Sequence, residues 1–197
     1  VGHVAAIHVL KGIVAQAKFP SAIMFAGPTS VGKTTLARAF AASACGLESI
    51  AQQSDFTEVN AADKRTIDDM RNLGQLARQR PMKMSRRFIL LDESQQLLSN
   101  AAAAQVALQM VESPVRTTTW MLTTMEPERF QSSTVGKAIL NRCMVVRLKT
   151  PTEDDLYKQG VRIVKGEKLG FVGKEALSAI VQASNHEMRT LANLTQS

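Results

Sequence analysis

The residues with the plainest chemistry lie in Gly27–Thr34, "GPTSVGKT", between the apolar "AIMF" and the alanine-rich "LARAFAASA". Glycines at this spacing let backbone amides turn inward around phosphate oxygens, and a helix starting there presents its positive end to them. Lys33 would then reach the β and γ phosphates of a nucleoside triphosphate, and the Thr34 hydroxyl would ligate Mg²⁺. Gly27, Pro28, Thr29 and Ser30 form the first half of the expected phosphate loop, and Val31, Gly32, Lys33, Thr34 and Thr35 complete it. A second stretch, "RFILLDESQQL", ends an apolar run in Asp92-Glu93. Carboxylates at the carboxyl end of a strand face the crevice where open α/β sheets bind ligands. Asp92 is expected to hold the Mg²⁺, directly or through water, and Glu93 to orient and deprotonate the attacking water. A kinase hands its phosphoryl group to a substrate and needs no such water, so the expectation is an ATPase.

Charge adds a third signal. The net charge is +7, from 24 Lys and Arg against 17 Asp and Glu, which favours an acidic partner. From Arg71 to Arg87 there are six basic residues, Arg71, Arg78, Arg80, Lys83, Arg86 and Arg87, and no acidic one. Taken alone, this run fits either a solvated helix face with its loop or a site for a polyanion. Aromatic residues make up only 5% of the chain and none lies in the run, so base stacking of the single-strand-binding kind is not indicated. Cys45 and Cys143 are too few for a disulfide framework or a four-ligand zinc site and read as small buried apolar residues. No run approaches the roughly 20 apolar residues of a membrane span and no charged-then-apolar leader opens the chain. A soluble intracellular protein with no membrane partner is therefore expected.

These side chains need a frame. At 197 residues and 45% apolar content the chain can bury the core of one ordinary domain with a small appendage. Short β-rich runs alternate with longer helical ones, the pattern of a parallel sheet covered by helices. Strands are expected at about 21–26, 56–60, 87–91, 117–124 and 143–148, and helices at roughly 3–17, 33–45, 66–79, 98–112 and 134–140. After Thr150-Pro151 the pattern changes: Thr152 caps "EDDLYKQGVRIVKGEKLG", and helices follow near 174–183 and 187–195 with no strand. The expected division is an α/β nucleotide-binding domain over 1–149 and a small helical domain over 150–197.

Seven motifs in order now define a resemblance. They are "VG" at Val1-Gly2, "GPTSVGKTTLA" from Gly27, "EVNAADKRTIDDMR" from Glu58, "FILLDESQQL" from Phe88, "AAQVAL" from Ala103, "ILNRC" from Ile139 and "NHEMRTLANL" from Asn185. The chain resembles the AAA+ family and, within it, the clamp-loader ATPase subunits: replication factor C small subunits, the bacterial gamma/tau subunit and the phage large subunit. The resemblance implies an α/β P-loop NTPase with a five-stranded parallel sheet followed by a three-helix lid, using ATP and Mg²⁺. It brings Val1 and Gly2 into the nucleotide site. It makes Arg142 an arginine finger acting on the ATP of a neighbouring subunit, and Arg189 the lid arginine that reaches the γ-phosphate of its own subunit. A polar residue at the end of the fourth strand should sense that phosphate. Thr124 is preferred to Met125 there, because a thioether cannot orient water.

The basic run also acquires a use. By resemblance Thr66, Arg71, Arg78, Arg80 and Lys83 follow the phosphates of primed DNA, contacts that position without reading sequence. Implied partners are primed DNA, a sliding clamp and other subunits in a hetero- or homo-oligomeric ring. The implied setting is the cytoplasm, beside the nucleoid, for a bacterium or phage and the nucleus for a eukaryote. Rival functions are another AAA+ task, such as helicase loading or branch migration, and a stator that binds nucleotide without turnover. The chain departs from the family in several places: Asn141 replaces the usual serine, Gln109-Met110 replace a basic pair, and "DESQ" replaces "DEAH" or "DECH". Only Cys45 stands where the bacterial subunit has its zinc module, and Glu126–Asn141 is a few residues longer than usual. The family's C-terminal collar lies outside the 197 residues, so weak assembly of this piece by itself is expected.

Overall fold

Five β-rich runs become five strands: β1 (Ala22–Ala26), β2 (Phe56–Asn60), β3 (Arg87–Asp92), β4 (Thr118–Thr124) and β5 (Met144–Arg147). The computed structural model describes residues 2–64, 66–166, 174–184 and 187–196, with the backbone alone for 174, 188, 189 and 196. All strand pairs are parallel, in the order β2-β3-β4-β1-β5. Parallel neighbours require crossovers, and these are supplied by α2 (Lys33–Ala44), α3 (Ile67–Arg78), α4 (Ala101–Glu112) and α6 (Thr134–Arg142). A further helix, α1 (Val4–Gln16), precedes the sheet. The expected five-stranded AAA+ sheet is thus present.

Strand alternation decides which face each side chain serves. Ile23, Phe25, Phe88, Leu90, Met121 and Val146 pack under α1 and α2, where Phe19, Phe40 and Phe88 meet edge to face. Their neighbours Met24, Ile89, Leu91, Trp120 and Leu122 pack on the other face against α3, α4 and α6. Each fully buried side chain of this size contributes roughly 1.5–3 kcal/mol, so two-sided burial holds the sheet without any disulfide. Both cysteines are free, and burial pushes the Cys143 thiol up to about 12, which keeps it protonated.

Two elements differ from the sequence reading. The helix expected over 98–112 is split: a 3-10 turn occupies Ser94–Ser99, and α4 starts afresh after Asn100, whose side chain accepts from the Ala103 N–H. The second difference is α5 (Pro127–Ser132), where no helix was expected. Pro127 suits a first helical turn, Thr124 Oγ1 accepts from the Glu126 N–H, and Phe130 is fully buried.

Three helices end the chain: α7 (Glu153–Gly166), α8 (Lys174–Ala183) and α9 (Met188–Gln196). Thr152 caps α7 as expected, in a reciprocal box: Asp155 N–H donates to Thr152 Oγ1 and Thr152 N–H to Asp155 Oδ2, both at 3.2 Å. Leu156, Val181 and Leu191 make a core of their own between these helices. A Cβ at Gly160 would stand 2.7 Å from Leu177 Cδ1, so a larger residue here would have to turn that side chain aside. Among the described residues no helix is long and apolar enough to cross a membrane.

Candidate nucleotide site and its surroundings

The chain leaves the end of β1 into the phosphate loop, and each backbone feature of the loop has a cause. A Cβ on Gly27 would stand 2.4 Å from the Leu148 carbonyl, so the loop can leave the sheet past the end of β5 only with glycine here. Ser30 (φ 58°) and Gly32 (φ 92°) take left-handed conformations, which turn the backbone into a concave loop before α2. Lys33 is the first residue of α2, and its ammonium donates to the carbonyls of Gly27 (3.0 Å) and Pro28 (2.6 Å). Burial lowers its pKa, against the opposing pull of Asp92 and Glu93.

Next in α2 is Thr34, whose hydroxyl donates to both Asp92 oxygens, at 3.1 and 3.2 Å. The same carboxylate accepts from Thr123 Oγ1, and that hydroxyl in turn accepts from the Glu93 N–H at 3.1 Å. Glu93 opens the 3-10 turn at φ 52°, a left-handed conformation uncommon outside glycine. Ser94 locks the turn by donating to the Thr123 carbonyl at 2.7 Å. Loop, acids and Thr123 surround a cavity of about 160 Å³, with Thr29, Ser30, Thr35 and Met125 at its margin.

The expectation for Thr124 is corrected. Thr123, not Thr124, lines this cavity, and the reason is strand parity. Asp92 and Thr123 follow Leu90 and Met121 onto the face covered by α2, whereas Thr124 follows Leu122 onto the opposite face. There Thr124 is fully buried and its hydroxyl accepts from the N–H of Glu126, the residue before α5.

The donor set fits a nucleotide with its Mg²⁺. A loop of left-handed turns, an ammonium at a helix start, and a hydroxyl in contact with one carboxylate are the groups that phosphate and a hard cation require. Among the described residues no cluster of three or more His, Cys, Asp or Glu could hold a metal alone. Mg²⁺ needs none, because phosphate oxygens and water complete its shell. A second cavity, of about 560 Å³, lies between the start of α1 (Gly2, Val4, Ile7) and α7 (Asp155, Tyr157, Arg162). His3 ties this entrance to the loop through Nε2, 3.0 Å from the Val31 carbonyl. Val1 lies outside the described residues, and of Arg189 only the backbone, in α9, is described. The α7 side chains in this cavity were missed in the sequence, where only the opposite wall, at Gly2, carries a motif.

Residues 2–152 match the protein-family model described as DNA polymerase III, delta subunit. The chain belongs to this clamp-loader family of AAA+ ATPases. It is similar to the replication factor C small subunit of Picrophilus torridus, 31% identical over 192 residues, which are 96% of this chain and 57% of the relative. The same comparison shows that the chain spans little more than half the length of such relatives. Among solved structures, the Thermotoga maritima RuvB Holliday junction branch migration motor superposes with a TM-score of 0.74 at 17% identity, over 98% of this chain and 58% of that one. A DNA polymerase III gamma subunit-related protein of the same organism gives a TM-score of 0.70 at 15% identity, over 97% of this chain and 57% of that one. These two likenesses concern the fold.

In this clamp-loader chain Arg142 stands far from its own phosphate loop. Met144 pairs with Ile23 near the start of β1, so Arg142 lies at the amino edge of the sheet while Gly27 leaves the carboxyl edge. Strand rise puts the two on the order of 15–20 Å apart along the strands. The Arg142 guanidinium pairs with Glu112 at 2.7 Å and donates to the Ala138 carbonyl at 2.9 Å.

The basic run divides into two kinds of residue. Arg87 is buried against Asp55 (3.2 Å), and Asp55, fully buried, also accepts from the backbone N–H groups of Met82, Lys83 and Met84. Arg86 lies 5.0 Å over the Phe19 ring and donates to the Thr118 carbonyl and the Thr119 hydroxyl. Both are framework residues. Thr66 caps α3 in a box with Asp69, and Arg71 pairs with Asp68 at 3.3 Å. Arg78, Arg80 and Lys83 are exposed and, among the described residues, make no ion pair. The Asp55 carboxylate holds the loop that carries Lys83.

Proposed function

We propose that this chain is the ATPase core of a clamp-loader subunit, which couples ATP binding and hydrolysis to placing a sliding clamp on primed DNA. Mg²⁺·ATP bound in the cleft would supply the phosphoryl group to be cleaved and the metal charge that neutralises it. Lys33 turns its ammonium from the Gly27 and Pro28 carbonyls to the phosphate oxygens, a strong interaction where burial has already stripped water from it. Thr34 and Asp92 hold the metal, and their present contact keeps both oxygens at one place. Thr123 bridges the Asp92 carboxylate and the Glu93 backbone, so the two acids keep a fixed spacing. Glu93 takes the proton of the attacking water at a carboxylate oxygen.

Other parts serve neighbouring tasks. Residues 1–149 act as the nucleotide domain and 150–197 as its lid. The cavity between Gly2 and α7 receives the base end of the nucleotide. Arg142, at the opposite edge, completes the site of the next subunit in a ring, where its permanently charged planar fork stabilises the transferring phosphoryl oxygens. Arg78, Arg80 and Lys83 track DNA phosphates, with Arg71 on α3 and Thr66 at its amino end.

One observation carries the reading: Thr34, Asp92, Thr123 and Glu93 are joined in a single cluster beside Lys33 at the head of α2. The test is steady-state ATP hydrolysis by the full-length protein with its companion subunits, with and without a sliding clamp and primed DNA. Clamp and primed DNA together should accelerate turnover. A rate indifferent to both would sink clamp loading in favour of another AAA+ task, and no turnover at all would make the chain a stator.

A further inference from the structure

We infer that Glu112 is a positioning residue for Arg142, and through it for hydrolysis at the neighbouring subunit's nucleotide, an inference that rests on the trans reading of Arg142 above. The last residue of α4 and the last residue of α6 meet at the amino edge of the sheet: Arg142 Nη2 and Glu112 Oε1 form an ion pair at 2.7 Å. Arg142 Nη1 is fixed separately, by donating to the Ala138 carbonyl one turn back on α6 at 2.9 Å. Two anchors on two different nitrogens fix the plane of the guanidinium as well as its place. Among the described residues Glu112 is the only acid that pairs with Arg142.

A guanidinium has five N–H donors, and beyond the one given to the Ala138 carbonyl and the Nη2 that faces Glu112, donors remain for the oxygens of a nucleotide presented by another subunit. The side chains are 41% and 36% exposed, so the fork is accessible to such a partner. Without Glu112, a long and flexible side chain would adopt the productive geometry only part of the time, and misplacement of a stabilising charge costs rate even where binding is kept. An ion pair this exposed contributes little to folding. Its loss should therefore appear in turnover and leave thermal stability alone.

The experiment uses the full-length protein assembled with its companion subunits, with Lys33→Ala placed so that only the nucleotide site completed by a chosen Arg142 remains active. Glu112→Ala in the chain donating that arginine should lower kcat about tenfold or more, with KM nearly unchanged and the donor's own ATP affinity and Tm at wild-type values. Glu112→Asp should recover part of the loss. Adding Glu112→Ala to Arg142→Ala should cost nothing further, because the first acts through the second. Unchanged or raised turnover in Glu112→Ala overturns the inference, as does a loss that adds in full to that of Arg142→Ala. Should Arg142→Ala itself leave the neighbouring site at full rate, the trans reading falls and Glu112 falls with it. Loss in Arg142→Ala without loss in Glu112→Ala defeats only the positioning role.

Discussion

At the carboxyl edge of the sheet Lys33, Thr34, Asp92 and Thr123 engage groups of their own chain, whereas at the amino edge Arg78, Arg80, Lys83 and Arg142 stand exposed and remote from their own phosphate loop. The difference lies in what each edge needs from outside. The carboxyl edge gathers one loop and two strand ends around a cavity of about 160 Å³ lined by residues of this chain. The amino edge offers cations set by buried or paired acids, Asp55 behind the 79–86 loop and Glu112 beside Arg142, and in the proposed function these act on other macromolecules. In the proposed function one sheet thus separates a cleft whose loop and acids come from one chain from surfaces that act on other molecules.

Substitutions can break this comparison in order of size. Glu93→Gln keeps the shape of the cleft and removes its base, so turnover should fall roughly 10²–10⁴-fold while ATP still binds. Fluorescent-nucleotide titration beside an ATPase assay reads both, and a wild-type rate would remove Glu93 from the chemistry. At the other edge, Arg142→Ala should leave the ATP affinity of its own chain intact and depress the neighbouring site by about 10³-fold in the assembly. Damage confined to its own site would merge the two edges into one.

Stability gives the third contrast. Asp55→Asn leaves buried Arg87 without its counter-charge and should cost about 3–5 kcal/mol in denaturant unfolding. Burial pushes the Asp55 carboxyl upward, but three backbone N–H groups and Arg87 outweigh it and hold the carboxyl below its usual range. With the folded value depressed, this contribution is complete above the unfolded carboxylate value near about 3.9 and disappears as pH falls through the folded one. The stability curves of wild type and Asp55→Asn should therefore converge in acid. A constant gap down to pH 2 would show that the lost stability is not electrostatic.

Smaller effects separate neighbouring residues. Thr123→Val should cost roughly 10–100-fold in turnover, as loss of a group supporting a metal ligand does, while Thr124→Val should cost about 1 kcal/mol of stability and little rate. Equal kinetic losses would contradict the parity argument. Neutralising Arg78, Arg80 and Lys83 together should weaken DNA binding for all sequences alike and reduce the salt slope by about one unit per lost phosphate contact. An unaltered slope would leave these three as a solvated face.

Much of this was legible in order along the chain. Short β-rich runs between turn residues locate all five strands, apolar where both faces are buried as in β1 and β3, and "GPTSVGKT" and "LLDE" stand out because loop and strand end are local structures. The helix Pro127–Ser132 was not legible: it is short, and its start is secured by Thr124 and its packing by Phe130, a fully buried residue. Arg86 and Arg87 read as part of a basic surface because nothing nearby in sequence shows that Phe19 and Asp55 await them.

By itself the sequence determined the fold class, the phosphate loop, the two acids after β3 and the cap of α7, all of which depend on residues within a few positions of one another. Only the tertiary structure decided which of two adjacent threonines joins the cleft, because a strand sends successive side chains to opposite faces and the helix covering each face is set by the whole sheet. It also decided which cations are framework and which are free, since Asp55 and Arg87 lie 32 positions apart and meet only when β3 takes its place beside β2. Glu112 and Arg142, each at the end of a helix, meet for the same reason: their helices pack on one face of the sheet.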